Sequence, residues 1–317
     1  MKAALLLTLA LGAAPFAAPF AAAQAQSAAT APQSANRFAA SIKPAETFES
    51  GALLVERHGS KGRPVILIPG LASGPWVWQE VIRQFKDEFT LYVVTLPGFD
   101  GRPGPTGEPF EGARAALEGL IAQRKLNKPI LVGHSLGGTL AYAVAQDVGN
   151  GIGGVVALDG LPVFPGTENM PPAQRPQAAQ RVRDTMAVAD PNAWAAQQRQ
   201  YMRGQGVLDI GKADDITPLL LRSDRAAVGA YVADALALDL RPGLEKITAP
   251  VLVVAPFYQY DGAQDTMTAD DKVAHYRSLV EGIPSVEVVP IAPSRHFLMI
   301  DQPLALAGIL RRFFDRR

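Results

Sequence analysis

Ser135 is the residue whose surroundings most clearly predict chemistry in this chain of 317 residues. It is the centre of Gly133-His134-Ser135-Leu136-Gly137, which lies between the apolar run Ile130-Leu131-Val132 and a stretch typical of a helix. A serine at a sharp strand-to-helix turn needs small residues two positions before and after it, because the backbone passes close to itself there. The two glycines meet that need, so the pattern predicts a nucleophilic serine.

A serine hydroxyl is a weak nucleophile at neutral pH and needs a base, for which the chain offers four histidines. His134 adjoins the serine and is expected to point elsewhere. His58 is expected at the surface or in a turn, and His275 on the solvated face of a helix. His296 follows the apolar run 286–289, and a loop after the last strand can place a base over the nucleophile. We therefore predict that His296 is the base.

Seven short apolar runs predict the strands that position these residues. Helix-like stretches lie between most of them, so strands and helices alternate. Runs that are apolar at every residue are typical of a parallel sheet covered on both faces. The sequence therefore predicts an α/β fold with a mostly parallel central sheet and helices on both faces. The runs are Ala52–Glu56, Pro64–Ile68, Leu91–Leu96, Pro129–Val132, Gly154–Leu158, Pro250–Val254 and Val286–Val289.

The interval from about Leu161 to Leu244 interrupts this alternation. It contains no strand-like run but several helical stretches that carry methionine and aromatic side chains. It is predicted to be a helical cap inserted into the connectivity of the sheet. Such side chains form adaptable apolar walls, so the cap is expected to control substrate choice and not the chemical step.

These features together resemble the α/β-hydrolase family, in its capped, esterase- or lipase-like form, over about residues 52–314. In that family an oxyanion loop, the nucleophile, an acid and a histidine follow one another along the chain. Pro69-Gly70-Leu71 stands where the family commonly has His-Gly-x. The resemblance implies that the backbone N–H groups of Leu71 and Leu136 stabilise the oxyanion, and that neither a cofactor nor a metal is needed.

The resemblance allows two locations for the acid that orients the histidine. Asp159 ends the run Gly154–Leu158, whereas Asp261 and Asp265 follow the later run Pro250–Val254. The later location is commoner in the family, but residues 255–260 lack the usual glycine and early aspartate. We favour Asp159, with Asp261 and Asp265 as alternatives.

Two residues close to His296 in sequence are predicted to have structural and not catalytic roles. Asp301 stands just before Pro303 and is expected to cap the last helix. Arg295 could meet a substrate carboxylate, but an exposed basic neighbour is the favoured interpretation.

Composition excludes several classes of function. Lys+Arg and Asp+Glu are both 30, so there is no surplus of positive charge to hold a nucleic acid. Cysteine is absent, which excludes disulfides, zinc–thiolate sites and thiol catalysis. The resulting hypothesis is a serine hydrolase that acts on a small acyl substrate, such as a carboxylic ester. An acyltransferase and a catalytically idle binding protein are alternatives, and the oligomeric state stays open.

The N-terminus has the layout of a secretory signal. One positive charge at Lys2 precedes the apolar run Ala3–Ala14, and small residues end at Ala21–Ala23. The expected organisation is a signal peptide at 1–23, a flexible segment at 24–45 and a hydrolase domain at 46–317. The protein is thus expected to be exported, periplasmic or secreted, without stable membrane insertion after cleavage.

Export makes a direct prediction about mass. Protein recovered from the periplasm or medium should begin near Gln24, because the small residues at Ala21 and Ala23 suit signal cleavage. Intact mass spectrometry of the exported product measures this. A membrane-bound product that still carries Met1 would contradict the prediction.

Overall fold

One eight-stranded sheet organises the protein. The structure is a computed structural model and describes residues 36–261 and 267–316. The strand order is β1-β2-β4-β3-β5-β6-β7-β8; β2 pairs antiparallel with β1 and β4, and all other pairs are parallel. The strands are β1 (Glu46–Ser50), β2 (Leu53–His58), β3 (Pro64–Ile68), β4 (Thr90–Thr95), β5 (Ile130–His134), β6 (Gly154–Leu158), β7 (Val251–Pro256) and β8 (Val286–Ile291).

Helices follow most of the parallel strands. Every residue of β5, β6 and β7 is buried, so these strands are covered on both faces. The α/β architecture with a mostly parallel sheet is therefore confirmed. The helices are α1 (Gln79–Phe85), α2 (Pro109–Gln123), α3 (Leu136–Val148), α4 (Arg175–Val188), α5 (Pro191–Tyr201), α6 (Ile210–Leu220), α7 (Arg225–Ala237), α8 (Ala269–Leu279), α9 (Leu298–Asp301) and α10 (Pro303–Asp315).

The N-terminal edge differs from the sequence prediction. Strand β1 was not among the predicted runs, because its alternating, half-exposed residues give no apolar stretch. Residues before it also pack on the domain: the N–H groups of Ser41 and Ile42 donate to Oε1 of Gln79 over 2.9 and 3.0 Å. The packed domain thus begins before the predicted boundary at residue 46. The predicted signal peptide at 1–23 lies outside the described residues.

The turn after β5 explains the glycines around Ser135. Ser135 has φ 53° and ψ −120°, a left-handed backbone conformation that is rare for a side chain other than glycine. A Cβ on Gly133 would lie 2.1 Å from the carbonyl oxygen of Gly137, and one on Gly137 would lie 2.2 Å from that of Ile68. Both positions must therefore be glycine for the chain to make this turn.

The cap lies between β6 and β7 and consists of helices α4 to α7. Helices α4 and α7 pack on each other, and a β-bridge between Val163 and Asp239 joins the two ends of the insertion. The buried Arg175 also ties these ends, because its guanidinium donates to the carbonyl oxygens of Thr167 and Leu238 over 2.9 and 3.0 Å. None of the helices in the described part of the chain is long and apolar enough to cross a membrane.

The turn predicts a large contrast between two glycine substitutions. Gly133→Ala should lower the free energy of unfolding by more than about 3 kcal/mol, because backbone atoms of Gly137 and Gly138 occupy the space of the new methyl group. Gly112→Ala in α2 meets open space and should be neutral or stabilising by about 0.5–1 kcal/mol. Urea denaturation of both variants measures the difference, and equal stabilities would contradict the account of the turn.

Candidate active site

His296 and Asp159 come together at the ends of two strands that are distant in sequence. His296 lies between β8 and α9, and Asp159 directly follows β6. Nδ1 of His296 is 2.6 Å from Oδ2 of Asp159, and the two side chains are 22% and 13% exposed. A mostly buried carboxylate at this distance fixes the ring and its tautomer. The structure thus joins the favoured acid with the predicted base.

The second oxygen of Asp159 has a partner that sequence reasoning missed. The hydroxyl of Tyr276, a buried residue of α8, donates to Oδ1. Burial alone would raise the pKa of the Asp159 carboxyl. The hydrogen bond and charge of His296 outweigh burial, with help from the charge of Lys272 and the Tyr276 hydroxyl, and hold that pKa below its ordinary value. Tyr276 carried no signal in the sequence, because an aromatic residue in an amphipathic helix indicates core packing.

His134 forms a hydrogen bond with the backbone of the loop that carries His296. Its Nε2 is 3.0 Å from the carbonyl oxygen of His296, which can only accept, so Nε2 carries the proton. The rings of the two histidines have centroids 4.6 Å apart. Complete burial lowers the pKa of His134 to about 3. His134 is therefore a neutral structural donor and is not placed to act as a base toward solvent.

The turn at Ser135 and the loop after β3 lie side by side. Ser135 is partly exposed, and a Cβ on Gly70 would lie 3.1 Å from the Cβ of Ser135. Leu71 follows this contact point. Leu136 is the first residue of α3, where backbone N–H groups have no acceptor within the helix. Both predicted oxyanion donors thus border the turn that carries Ser135.

Asp261, one of the two alternative acids, is bonded to an arginine and not to the histidine ring. Asp261 accepts from the guanidinium of Arg295, with Nη2–Oδ1 2.7 Å and Nε–Oδ2 2.8 Å. Arg295 is only 15% exposed, so its prediction as an exposed neighbour is wrong. Asp265 lies outside the described residues.

Two further expectations are corrected by their surroundings. His58 is buried as the last residue of β2, and its Nε2 is 3.3 Å from Glu56, so it lies neither at the surface nor in a turn. The N-cap of α10 is Gln302 and not Asp301, whose carboxylate accepts two backbone N–H groups elsewhere. His275 is exposed on α8, as expected. Across residues 36–261 and 267–316, no three His, Asp or Glu side chains gather as a metal site.

Comparison with known proteins decides the family. The sequence profile of the alpha/beta hydrolase family matches residues 65–309, which is most of the chain. The chain belongs to the alpha/beta hydrolase family. This α/β-hydrolase is 31% identical over 107 residues to a pimeloyl-[acyl-carrier protein] methyl ester esterase of Proteus mirabilis; the match covers 34% of this chain and 40% of that protein. It is 33% identical over 130 residues to a 2-succinyl-6-hydroxy-2,4-cyclohexadiene-1-carboxylate synthase of Shigella sonnei, over 40% of this chain and 51% of the relative.

Solved structures resemble this hydrolase over most of its length. An esterase from Exiguobacterium antarcticum superposes with a TM-score of 0.67 at 17% identity, covering 83% of this chain and 95% of the other. An enol-lactonase from Burkholderia xenovorans gives a TM-score of 0.69 at 16% identity, covering 85% and 100%. At these identities the likeness shows the fold. The chain spans 40% and 51% of the length of the two curated relatives named above.

The position of the acid predicts a contrast between two amide variants of this hydrolase. If the family chemistry operates here, Asp159→Asn should lower kcat by up to ~10⁴-fold at a near-normal melting temperature, because the amide cannot hold the histidine tautomer. Asp261→Asn should cost no more than about tenfold, since its partner is Arg295 and not the imidazole. Steady-state kinetics on a nitrophenyl ester measures both. An active Asp159→Asn beside a dead Asp261→Asn would move the acid to the later strand.

The buried His134 predicts how stability depends on pH. Its pKa falls from the ordinary 6.5 to about 3 on folding, so between these values the unfolded state binds a proton that the folded state does not. This group therefore removes stability as pH falls from about 6.5 toward 3, by at most about 1.4 kcal/mol per pH unit. His134→Gln, which keeps a donor, should flatten the melting temperature between pH 6.5 and 4. The exposed His275→Gln is the control, and identical slopes in all three proteins would contradict the assignment.

Proposed function

We propose that this protein hydrolyses carboxylic esters or related acyl compounds through an acyl-enzyme, with Ser135, His296 and Asp159 as its catalytic triad. The observation that carries the proposal is the 2.6 Å contact between His296 and Asp159, beside a strained turn that presents Ser135. A nucleophile, a base and an orienting carboxylate are the three groups that acyl transfer to water requires.

The proposed reaction has two halves. Oγ of Ser135 bonds to the acyl carbon while its proton passes to Nε2 of His296, and the N–H groups of Leu71 and Leu136 donate to the developing oxyanion. Collapse of this intermediate breaks the ester bond, and the alcohol leaves with the proton from His296. Water then attacks the acyl-enzyme with the same base, which releases the acid and restores the serine.

The arrangement favours this chemistry because the negative charge of Asp159 offsets the positive charge that forms on His296 during the reaction. Asp159 is held ionised and is bound on both oxygens, so it can stabilise positive charge on His296 without moving. The name of the relative from Proteus mirabilis, a methyl ester esterase, supports the same reaction class. We propose a periplasmic or extracellular setting from the character of residues 1–23 alone.

The nucleophile assignment predicts a selective loss. Ser135→Ala should reduce hydrolysis of a panel of nitrophenyl esters by ~10³-fold or more, because only the attacking hydroxyl is removed. Labelling by a fluorophosphonate should disappear, while the melting temperature stays near that of the parent. Ser278→Ala on α8 is the control, since its hydroxyl bonds only its own helix.

The panel also separates the alternatives. A parent protein that neither hydrolyses any ester nor takes the label would refute the proposal and favour an idle binding protein. Chromatography of products in the presence of added alcohols distinguishes transfer from hydrolysis, because a transferase would yield a new ester in place of the acid.

A further inference from the structure

The carboxyl end of a cap helix is bonded to the loop that carries His296. Helix α5 continues into one π-helical turn, Met202–Gly206, after which the backbone is extended at Val207. The last carbonyl groups of a helix have no donor within it. Here the N–H of His296 donates to Gln205 over 3.2 Å, and that of Phe297 donates to Gly206 over 2.9 Å. Two backbone hydrogen bonds therefore join the loop that carries the proposed base to the cap.

Arg295 also connects the helix end at 202–207 with the loop that carries His296. Its Nη1 donates to the carbonyl oxygens of Arg203 and Val207 over 2.9 and 3.0 Å. Its Nε and Nη2 donate to the carboxylate of Asp261. A guanidinium offers five donors in a rigid plane, so it can hold a carboxylate and two carbonyl groups together. Asp261 thus anchors the residue next to the base, although it does not touch the base itself.

Asp301 adds a third connection between the two segments. Its Oδ1 accepts the N–H of Leu208 over 2.9 Å, and its Oδ2 accepts the N–H of Arg295 over 2.8 Å. One half-buried carboxylate therefore joins Leu208, just beyond the helix end, to the residue before His296. Backbone bonds, a guanidinium and a carboxylate all act on the same short stretch of loop.

The position of the imidazole makes this junction relevant to the chemical step. The ring of His296 lies 6.1 Å from that of Tyr201, the last residue of α5 before the π-helical turn, and the N–H of His296 is bonded to Gln205, so the residue lies beside the last turns of the helix. Carbonyl groups at the carboxyl end of a helix carry partial negative charge and favour a nearby cation. A displacement of about 1 Å between base and nucleophile can cost 10²-fold in rate.

We propose that the cap segment 202–207 positions His296 for catalysis, with Arg295 as the positioning residue that clamps the two together. The inference rests on the proposed function and adds to it, because the cap then sets the rate of the chemical step as well as access to the site. It differs from the sequence-based expectation that the cap governs substrate choice only.

The test uses the full chain with Arg295→Ala. We expect kcat on a nitrophenyl ester to fall about 10–100-fold while KM changes less than about threefold, since the base is displaced and the substrate site is not. The second-order rate of fluorophosphonate labelling at Ser135 should fall by a similar factor. Added guanidinium at millimolar concentration should restore part of kcat and of the labelling rate, because it can bind between Asp261 and the exposed carbonyl groups.

Asp214→Ala is the matched control. It breaks another bidentate arginine pair on the same cap segment, Arg203–Asp214 at 2.7 Å, without touching the His296 loop. Its kcat and labelling rate should equal those of the parent, and guanidinium should not raise them. An equal loss in this control would show general loosening of the cap and overturn the proposal.

Other outcomes are equally decisive. If Arg295→Ala keeps kcat and labelling within twofold of the parent, or if guanidinium restores neither, the clamp is refuted. If Arg295→Ala does not fold, Arg295→Lys carries the test, because its single ammonium cannot serve both the carboxylate and the carbonyl groups, and its kcat should fall at an unchanged KM. A parent that labels but hydrolyses no ester refutes the proposed substrate class and leaves labelling as the readout. A parent that does not label refutes the proposed function and the clamp with it.

Discussion

The hydrogen bond between His296 and Asp159 is the contact on which the rest of the site depends. An ionised carboxylate that is 13% exposed is costly unless donors surround it. Two residues supply them from separate parts of the chain, with Nδ1 of His296 on one oxygen and the Tyr276 hydroxyl on the other. Because each donor stands on an element adjoining a different strand, the carboxylate is satisfied only when β6, β7 and β8 lie side by side. The spacing of the strands in the sheet thus sets the distances between the residues of the site.

The order of the strands also explains which groups meet. Parallel strands place their carboxyl ends at one edge of the sheet, and the residues after β3, β5, β6 and β8 collect there. Ser135 and Asp159 both leave their strands with a positive φ, 53° and 49°, which turns the chain sharply at that edge. Short turns fix the side chains more tightly than long loops could. Glycine at 133, 137 and 160 permits these turns, because a Cβ at any of the three would collide with neighbouring backbone atoms.

Residues with a local signature could be predicted from the sequence, and residues defined by distant contacts could not. The strand–glycine–serine–glycine–helix pattern located the turn, and the mostly apolar runs located seven of the eight strands of the sheet. β1 was missed because an edge strand needs no apolar run. Tyr276, Arg295 and Asp301 were missed or misplaced for another reason: each acts across more than 85 residues of sequence or toward a neighbouring loop, so no local pattern marks it. His134 gave no signal of its neutral, buried state for the same reason.

The cap is bonded to both sides of the proposed reaction centre. Besides its contacts with the His296 loop, it provides Ser223, whose hydroxyl donates to the carbonyl oxygen of Ala72 over 3.0 Å and accepts the N–H of Asp100 over 3.1 Å. Ala72 follows Leu71, so the loop that carries this proposed oxyanion donor is bonded to the cap as well. A shift of the cap would therefore move the loop after β3, the loop that carries His296, or both. Substitutions that reshape the cap for a new substrate should therefore change kcat together with KM, unless they preserve the carbonyl groups at 203–207 and the Ser223 hydroxyl.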